Sequence, residues 1–295
     1  MKQRTSRRGL IAGAAGAMTT ALAGCASMTP FVGQRLTDTM TEDAGSVESI
    51  SVIGNVGAIN IAGSERDDIR IDVVKQSSSV RADLEALTVE TARENGQLDI
   101  WTEYHRDLGW MESEPSADLT IRIPDDIAVN RIESTVGGVE IQQVPGDMSV
   151  ETTTGRITIN DVDGSVSTRS TTGRIEISGV TGRVSANATT GRVTVHDIGI
   201  AGDLTTTTGR ISVDIPAIKS DTDIRTQTGR ITAAIAPTID AEISAASTTG
   251  RISHDNLPLT DVSTGPQSLR GTLGDGGPRI NLQSSTGRIT LRPLD

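Results

Sequence analysis

The sequence predicts an all-β protein whose larger part is a β-solenoid with rungs of about 18 residues. A Thr-Gly-Arg unit followed by isoleucine or valine occurs eight times, with its glycines at positions 155, 173, 182, 191, 209, 229, 250 and 287. Four of these glycines, at 155, 173, 191 and 209, are 18 residues apart, and the later steps are 20, 21 and 37 residues. Glycines at 164 and 182 divide the unit into halves of nine. Repeats of this length predict a stack of similar rungs, each made of short strands and glycine-marked bends.

Each unit places branched apolar residues at the second and fourth positions after the glycine, as in Ile157 and Ile159. Side chains alternate between the two faces of a strand, so these residues are predicted to point inward and stack on their equivalents. The arginine then points outward. The glycine is predicted at a bend with positive φ, and the threonines are predicted to hydrogen-bond from rung to rung. The residue three before the glycine varies too much for the matched lattice of an ice-binding face.

The repeated arginine has no structural requirement, which makes it the candidate binding position. Aligned strands lie ~4.8 Å apart, so stacked arginines form a column of like charges. The column is either an anion-binding stripe or half of a charge ladder neutralised by nearby acids, and the acid excess of the chain favours the ladder. The candidate stripe consists of Arg156, Arg174, Arg192, Arg210, Arg230 and Arg251. The candidate neutralising acids are Asp161, Asp163, Glu176, Asp197 and Asp214.

The composition excludes several function classes. There are 27 Lys and Arg against 38 Asp and Glu, a net charge of −11, which opposes binding to a nucleic-acid backbone. Only three of the 27 are lysines, and scarce lysine beside excess acid resembles proteins of high-salt environments. The four aromatic residues are too few for an aromatic core, so Ile, Val, Leu, Ala and Thr must fill the interior.

Residues 1–24 are predicted to be an export signal. Arg7 and Arg8 precede an uncharged stretch over residues 9–24, which is followed by Cys25, the single cysteine. The Leu-Ala-Gly-Cys sequence over residues 22–25 resembles a lipobox, so the segment resembles twin-arginine-exported lipoproteins, with lipid on the sulfur of Cys25. The predicted location is the outer face of the cytoplasmic membrane. A retained membrane anchor over the same residues is the alternative.

The rest of the chain divides into three predicted parts. Residues 25–45 are a tether with room for one strand at 35–40, residues 46–134 are strand-rich, and residues 135–295 form the regular solenoid. Strands are predicted at 47–53, 56–61, 69–74, 88–92, 98–101 and 118–124, with a hairpin through Asn95 and Gly96. One short helix is predicted at 79–87 from its apolar spacing. Residues 280–291 are predicted to be the final rung and cap, with Pro293 stopping further pairing.

Neither a catalytic nor a metal-ligating pattern is found in the sequence. The three histidines, His105, His196 and His254, lack a third ligand at a regular spacing, and His254 is expected to be a structural residue facing inward or at a rung end. The residues after the repeat glycines do not fit a calcium-binding roll. Three aromatics lie in residues 101–110, which are either a loop covering the end of the sheet or a platform for sugar or peptide stacking. We expect no cofactor and no metal.

The chain resembles the DUF4097 family of adhesin-like β-solenoid proteins over residues 46–295. The resemblance rests on the Asn-Val-Gly-Ala-Ile-Asn-Ile run at 55–61, the strand at 119–124 that ends in proline, the Thr-Gly-Arg-Ile rungs and the closing Ser-Thr-Gly-Arg-Ile-Thr-Leu at 285–291. It implies an exported or envelope-associated solenoid without established catalytic residues. The uniform arginine after glycine departs from the family pattern.

Two function hypotheses follow. The first is a non-enzymatic, lipid-anchored surface protein, adhesin-like or an envelope scaffold, with the membrane as one partner through Cys25 and a cell-surface polymer or protein as another. The alternative is a carbohydrate-active β-helical enzyme that acts on an acidic polysaccharide.

Overall fold

The computed structural model describes residues 33–79, 82–106 and 114–294, and all regular elements in these ranges are β-strands. The first nine strands are β1 (Gln34–Asp43), β2 (Ser49–Val56), β3 (Ile59–Ser64), β4 (Asp68–Ser77), β5 (Leu87–Glu94), β6 (Gln97–Tyr104), β7 (Ser116–Pro124), β8 (Ala128–Val136) and β9 (Val139–Pro145). The others are β10 (Met148–Asp163), β11 (Val166–Val195), β12 (Ile198–Ile215), β13 (Thr222–Ile235), β14 (Ala241–His254), β15 (Thr260–Gly265), β16 (Ser268–Leu273) and β17 (Arg279–Pro293). The described residues form one compact unit.

The repeats pair in parallel, each with the equivalent residues of the next copy. Gly155 of β10 pairs with Gly173 of β11, and Gly209 of β12 pairs with Gly229 of β13. Strands β8 and β9 extend the pairing from β10 toward the N-terminal part. We call the strands β10 to β14 and β17 the repeat ladder. The offset between paired residues therefore equals the repeat read from the sequence, because paired repeats bury their equivalent apolar residues together.

The core of the repeat ladder is formed by the predicted inward positions. Ile157, Ile159 and Ile175 are each fully buried, and Ile157 pairs with Ile175. Burying each such side chain contributes about 1.5–3 kcal/mol. The alternation of Ile and Val therefore predicts the inner face correctly.

The order of the last rungs differs from the prediction. Strand β17 lies between β13 and β14, because it pairs in parallel with both of them: Ile289 pairs with Ile231 on one side and with Ile252 on the other. The rung predicted to close the array is thus an inner rung, and β14 is the outer one. Strand β16 covers only the first half of β14, through antiparallel pairing with Ala241 to Ala246. Near-identical repeats can pair in any order, so the spacing of their glycines does not determine which rung lies outside.

The N-terminal part is strand-rich, as predicted. Asn95 and Gly96 form the turn of the β5–β6 hairpin, with φ values of 53° and 79°. Strand β1 pairs antiparallel with β4, so residues 34–43 of the predicted tether belong to the sheet. Across this pairing, Asp72 of β4 accepts a hydrogen bond from Thr39 of β1 at 2.9 Å, and it accepts another from Arg70 of its own strand at 3.0 Å. The bond from Arg70 is the main cause that lowers the pKa of Asp72.

The predicted helix at 79–87 is wrong for the residues that are described. Residues 84–86 form a turn, and Leu87 begins β5. Leu84 and Leu87 are buried, at 6% and 2% exposure. A spacing of three between buried leucines also occurs where a turn leads into a strand, so this spacing does not by itself indicate a helix.

Candidate binding surface

The predicted export and anchoring residues, Arg7, Arg8 and Cys25, lie outside the described residues. Within the ranges that are described, there is no helix with the length and hydropathy needed to cross a membrane.

A column of glycines forms one bend of the ladder. In spatial order it contains Gly57, Gly137, Gly155, Gly173, Gly191, Gly209, Gly229, Gly287 and Gly250. From Gly137 onward, a Cβ atom at each position would meet the carbonyl oxygen of the preceding glycine at less than 3.0 Å, which real Cβ atoms essentially never show. The predicted positive φ occurs at Gly155, Gly191, Gly229 and Gly287 but not at Gly173, Gly209 or Gly250. Close approach of the backbones, which all these members share, is therefore the reason for glycine.

The residue after each repeat glycine is an arginine on the surface. We call these seven residues the arginine stripe; in spatial order they are Arg156, Arg174, Arg192, Arg210, Arg230, Arg288 and Arg251. Six are exposed and Arg174 is half-buried. Seven rungs at about 4.8 Å spacing give the stripe a length of about 29 Å.

The stripe brings together all six arginines that the sequence singled out. It also contains Arg288, which is not among these six. The Thr-Gly-Arg copy at Arg183 lies elsewhere: Arg183 pairs with Ile200, and its guanidinium donates to Ser220 Oγ at 3.1 Å. This copy falls at the half-step of the repeat, which is why it does not join the stripe.

Of the predicted neutralising acids, only Glu176 pairs with the stripe. Only Arg174 has a carboxylate within 4.0 Å among the described residues, Glu176 at 3.4 Å. Asp163 instead accepts a hydrogen bond from Thr181 at 2.8 Å, and Asp214 pairs with His196 at 2.9 Å. Asp161 lies at a separate bend, with φ 55°. A continuous charge ladder is therefore not formed in the described part of the chain, where only the rung of Arg174 has a carboxylate partner.

Two rows of exposed hydroxyl residues run beside the stripe. They occupy the two positions before each glycine, as in Thr207 and Thr208, with Gln227 as the exception. The predicted hydrogen bonds between these threonines are not found among the described residues. An open groove of about 520 Å³ borders the row formed by the residues two before the glycines, and its walls include Thr207, Gln227 and Ser285. The rows and the groove offer polar groups that can both donate and accept hydrogen bonds.

The residue three before each stripe glycine is buried, and all of these residues except Ala188 carry a hydroxyl. Ser134, Thr152, Ser170, Thr206, Thr226 and Ser284 have buried Oγ atoms without a hydrogen-bond partner in the described part of the chain. Ser247, on the outermost rung, is the exception and donates to the carbonyl of Gly287 at 3.1 Å.

Thr206→Val is expected to leave the free energy of unfolding unchanged or to raise it by about 1 kcal/mol, because it removes a buried hydroxyl that makes no hydrogen bond. Ser247→Ala removes a hydroxyl that makes one and should lower it by about 1 kcal/mol. Urea denaturation of both variants measures the difference. Equal losses in the two variants would show that Thr206 is hydrogen-bonded after all.

The histidines do not form a catalytic group with the stripe. His196 pairs with Asp214 of the next rung and not with its sequence neighbour. His254 is exposed at the outermost rung, as expected of a rung-end histidine. His105, in contrast, belongs to a group that the sequence analysis missed. It lies between Glu90, 3.3 Å from Nε2, and Glu103, 3.7 Å from Nδ1.

Ligand-forming atoms of Glu90, Glu103 and His105 lie within 4.8 Å of one another, so their residue types could hold a metal ion. Each carboxylate faces a different imidazole nitrogen, so the two carboxylates do not meet at one ligating nitrogen. The register of the β5–β6 hairpin, which pairs Thr88 with Glu103, was the signal that could have located this group.

The aromatic segment is partly a strand and not a loop. Trp101 and Tyr104 lie on β6, and Tyr104 packs against the core. Residues 107–113, which include Trp110, are outside the described ranges. A stacking platform over residues 101–110 stays a prediction.

Fold and surface together define a class: an all-β protein of stacked parallel repeats that presents one column of guanidinium groups. The chain belongs to the Toastrack DUF4097 family, whose model matches residues 47–292. The family predicted from the sequence is thereby confirmed. A comparison with curated proteins finds no match.

Solved structures similar to the chain come from several bacteria. An adhesin candidate from Bacteroides fragilis NCTC 9343 has 14% identity and a TM-score of 0.49, covering 88% of this chain and 97% of that one. A candidate cell adhesion protein from Clostridium sporogenes ATCC 15579 has 10% identity and a TM-score of 0.26, covering 88% and 100%. A candidate lipid-binding protein from Parabacteroides distasonis ATCC 8503 has 12% identity and a TM-score of 0.30, covering 88% and 97%.

Proposed function

We propose that the protein is a non-enzymatic surface protein, exported by the signal at residues 1–24 and anchored by lipid at Cys25, whose β-solenoid presents the arginine stripe for adhesion. Its place would be the outer face of the cytoplasmic membrane. The observation that carries the proposal is the stripe itself: six of its seven guanidinium groups have no carboxylate partner among the described residues.

Charge and repetition both support a binding role. The chain has a net charge of −11, so a column of unpaired cations is opposite in sign to the protein as a whole. General acid–base and nucleophilic catalysis need unlike groups that converge on one reacting atom. The stripe instead offers the same group on successive rungs, which suits a ligand that makes many equivalent contacts.

The anchor is tested by expression in a host that exports and lipidates proteins, with labelled fatty acid in the medium. The wild-type chain should take up label and fractionate with the membrane. Cys25→Ser should take up none and appear in the medium, because only the lipid holds the acidic protein at an anionic surface. Label in the Cys25→Ser chain, or its retention in the membrane, would contradict lipid anchoring and favour a retained membrane anchor.

Surface presentation of the stripe is tested on the same cells with carboxylate-coated and amine-coated beads. Cells with the wild-type chain should retain more carboxylate-coated beads than cells with Cys25→Ser, and amine-coated beads should show no such preference. Equal retention by the two strains would argue against an adhesive role.

A further inference from the structure

We propose that the arginine stripe and the hydroxyl rows beside it bind a linear acidic polysaccharide, which lies across the rungs along the length of the ladder. This inference rests on the proposed function, because it names the ligand class of the same surface.

The ligand must supply acidic groups. A guanidinium group has five N–H donors and no acceptor, and its fork fits carboxylate or sulfate oxygens in pairs. Arg192, Arg210 and Arg230 follow one another in register at the centre of the stripe, and none of them has a carboxylate within reach in the described ranges. Like charges this close repel each other, so an anion that bridges neighbouring rungs relieves the repulsion as well as forming hydrogen bonds.

The ligand must also be long. The stripe extends about 29 Å, with one cation every ~4.8 Å. A small anion reaches one or two guanidinium groups, whereas a polymer with regularly spaced acidic groups reaches most of them. Once one group is bound, the next binds at high effective concentration, so affinity should rise steeply with polymer length.

The hydroxyl rows favour a polysaccharide over other polyanions. Thr189 and Thr190, and Thr207 and Thr208, are exposed next to Arg192 and Arg210, and such hydroxyls both donate and accept hydrogen bonds. A sugar chain carries hydroxyls as well as acidic groups and can use both kinds of partner. Single-stranded nucleic acid depends on aromatic stacking, and the chain has no aromatic residue after position 110. Protein partners are bound mainly through aromatic and apolar anchor residues, which the stripe and the hydroxyl rows do not contain.

The test measures binding of polyuronate oligomers of increasing length to purified full chain carrying Cys25→Ser, taken from whichever fraction contains it. Long oligomers should bind at least about tenfold more tightly than a dimer. Arg210→Gln should weaken binding by about tenfold. The triple variant Arg192→Gln, Arg210→Gln and Arg230→Gln should weaken it by more than about 100-fold.

A matched triple variant controls for net charge. Arg93, Arg131 and Arg279 are each paired with an acid away from the stripe: Glu42, Glu133 and Glu242. Replacing these three with glutamine removes the same charge and should leave polyuronate affinity within about twofold. Because the stripe arginines make almost no ion pairs, their triple variant should unfold at the same temperature as the parent or higher, which separates lost binding from lost folding.

Several results would overturn the inference: no binding of polyuronate, equal weakening in the two triple variants, affinity independent of length, or tighter binding of single-stranded DNA or poly-glutamate of matched charge. Cells that retain carboxylate-coated beads while the purified chain ignores polyuronate would refute the polysaccharide and leave the proposed function standing. Polyuronate binding by a chain that is never anchored would refute the anchor and leave the polysaccharide standing. Shortening of the polymer during incubation would favour the carbohydrate-active enzyme over the binding protein.

Discussion

Gly137→Ala is expected to lower the free energy of unfolding by about 3 kcal/mol or more. A Cβ atom at this position would overlap the carbonyl group of Gly57, and the residue has a φ of 149°, which disfavours any side chain. The obstacle is backbone, so no change of rotamer relieves it. The neighbouring rungs would have to separate, which weakens the parallel hydrogen bonds on both sides of the bend.

The adjacent Gly138→Ala is the matched control. The nearest atom to a Cβ at this position is the carbonyl oxygen of Arg156 at 3.8 Å, an ordinary contact. This variant should change the free energy of unfolding by less than about 1 kcal/mol and could even raise it, because alanine reduces the freedom of the unfolded chain. Guanidinium denaturation of the two proteins measures the difference. Similar losses would mean that the glycine column does not depend on close backbone approach.

Ile289→Asp is expected to be far more damaging than Ile252→Asp, although the two residues occupy the same position in their repeats. Ile289 has 0% exposure and lies between Ile231 and Ile252, so an aspartate there must be buried between two apolar layers. A loss of about 4 kcal/mol or more follows from burying a polar group without a partner and losing the isoleucine. Ile252 lies on the outermost rung and is only partly buried. Its aspartate can reach water, so we expect a loss of about 1–2 kcal/mol.

The comparison distinguishes the spatial order of the rungs from their order in the sequence. If the repeats stacked in sequence order, Ile289 would lie on the terminal rung, and Ile289→Asp would be the less destabilising of the two variants. Thermal and urea unfolding of both variants would decide between the two orders. Val262→Asp serves as the control for adding a charge, because Val262 is exposed on β15 and should tolerate it. A larger loss from Ile252→Asp than from Ile289→Asp would contradict the insertion of β17 between β13 and β14.

Much of the fold follows from patterns within one repeat. The spacing of Gly155 and Gly173 gives the register, and the alternation at Ile157 and Ile159 gives the inner face. The register and the inner face depend on interactions that recur in every copy, so the sequence contains the same signal several times. The hairpin at Asn95 and Gly96 is a local signal of similar strength because few other turns accept that pair.

The features that could not be predicted depend on which copies meet. Nothing in the repeat distinguishes a neighbour of β13 from a neighbour of β17, so the inner place of the last rung is decided by the connections between strands. Asp214 pairs with His196 of the neighbouring rung and not with an arginine of the stripe. Which residues meet across rungs depends on the folded arrangement of the rungs. The candidate surface was therefore located in the sequence, but its free charge could be seen only in the folded chain.

The inner position of β17 also affects how the protein is made. In most repeat arrays the last repeat to be synthesised adds to an existing end, and a shortened chain is simply a shorter array. Here β17 supplies a layer between two strands that precede it in the chain, so the far end of the array cannot assemble until residues 279–293 have been synthesised. A chain that terminates early leaves β13 and β14 with exposed backbone edges, which are targets for aggregation and proteolysis. Folding of the repeat ladder thus depends on a strand that is synthesised after both of its neighbours.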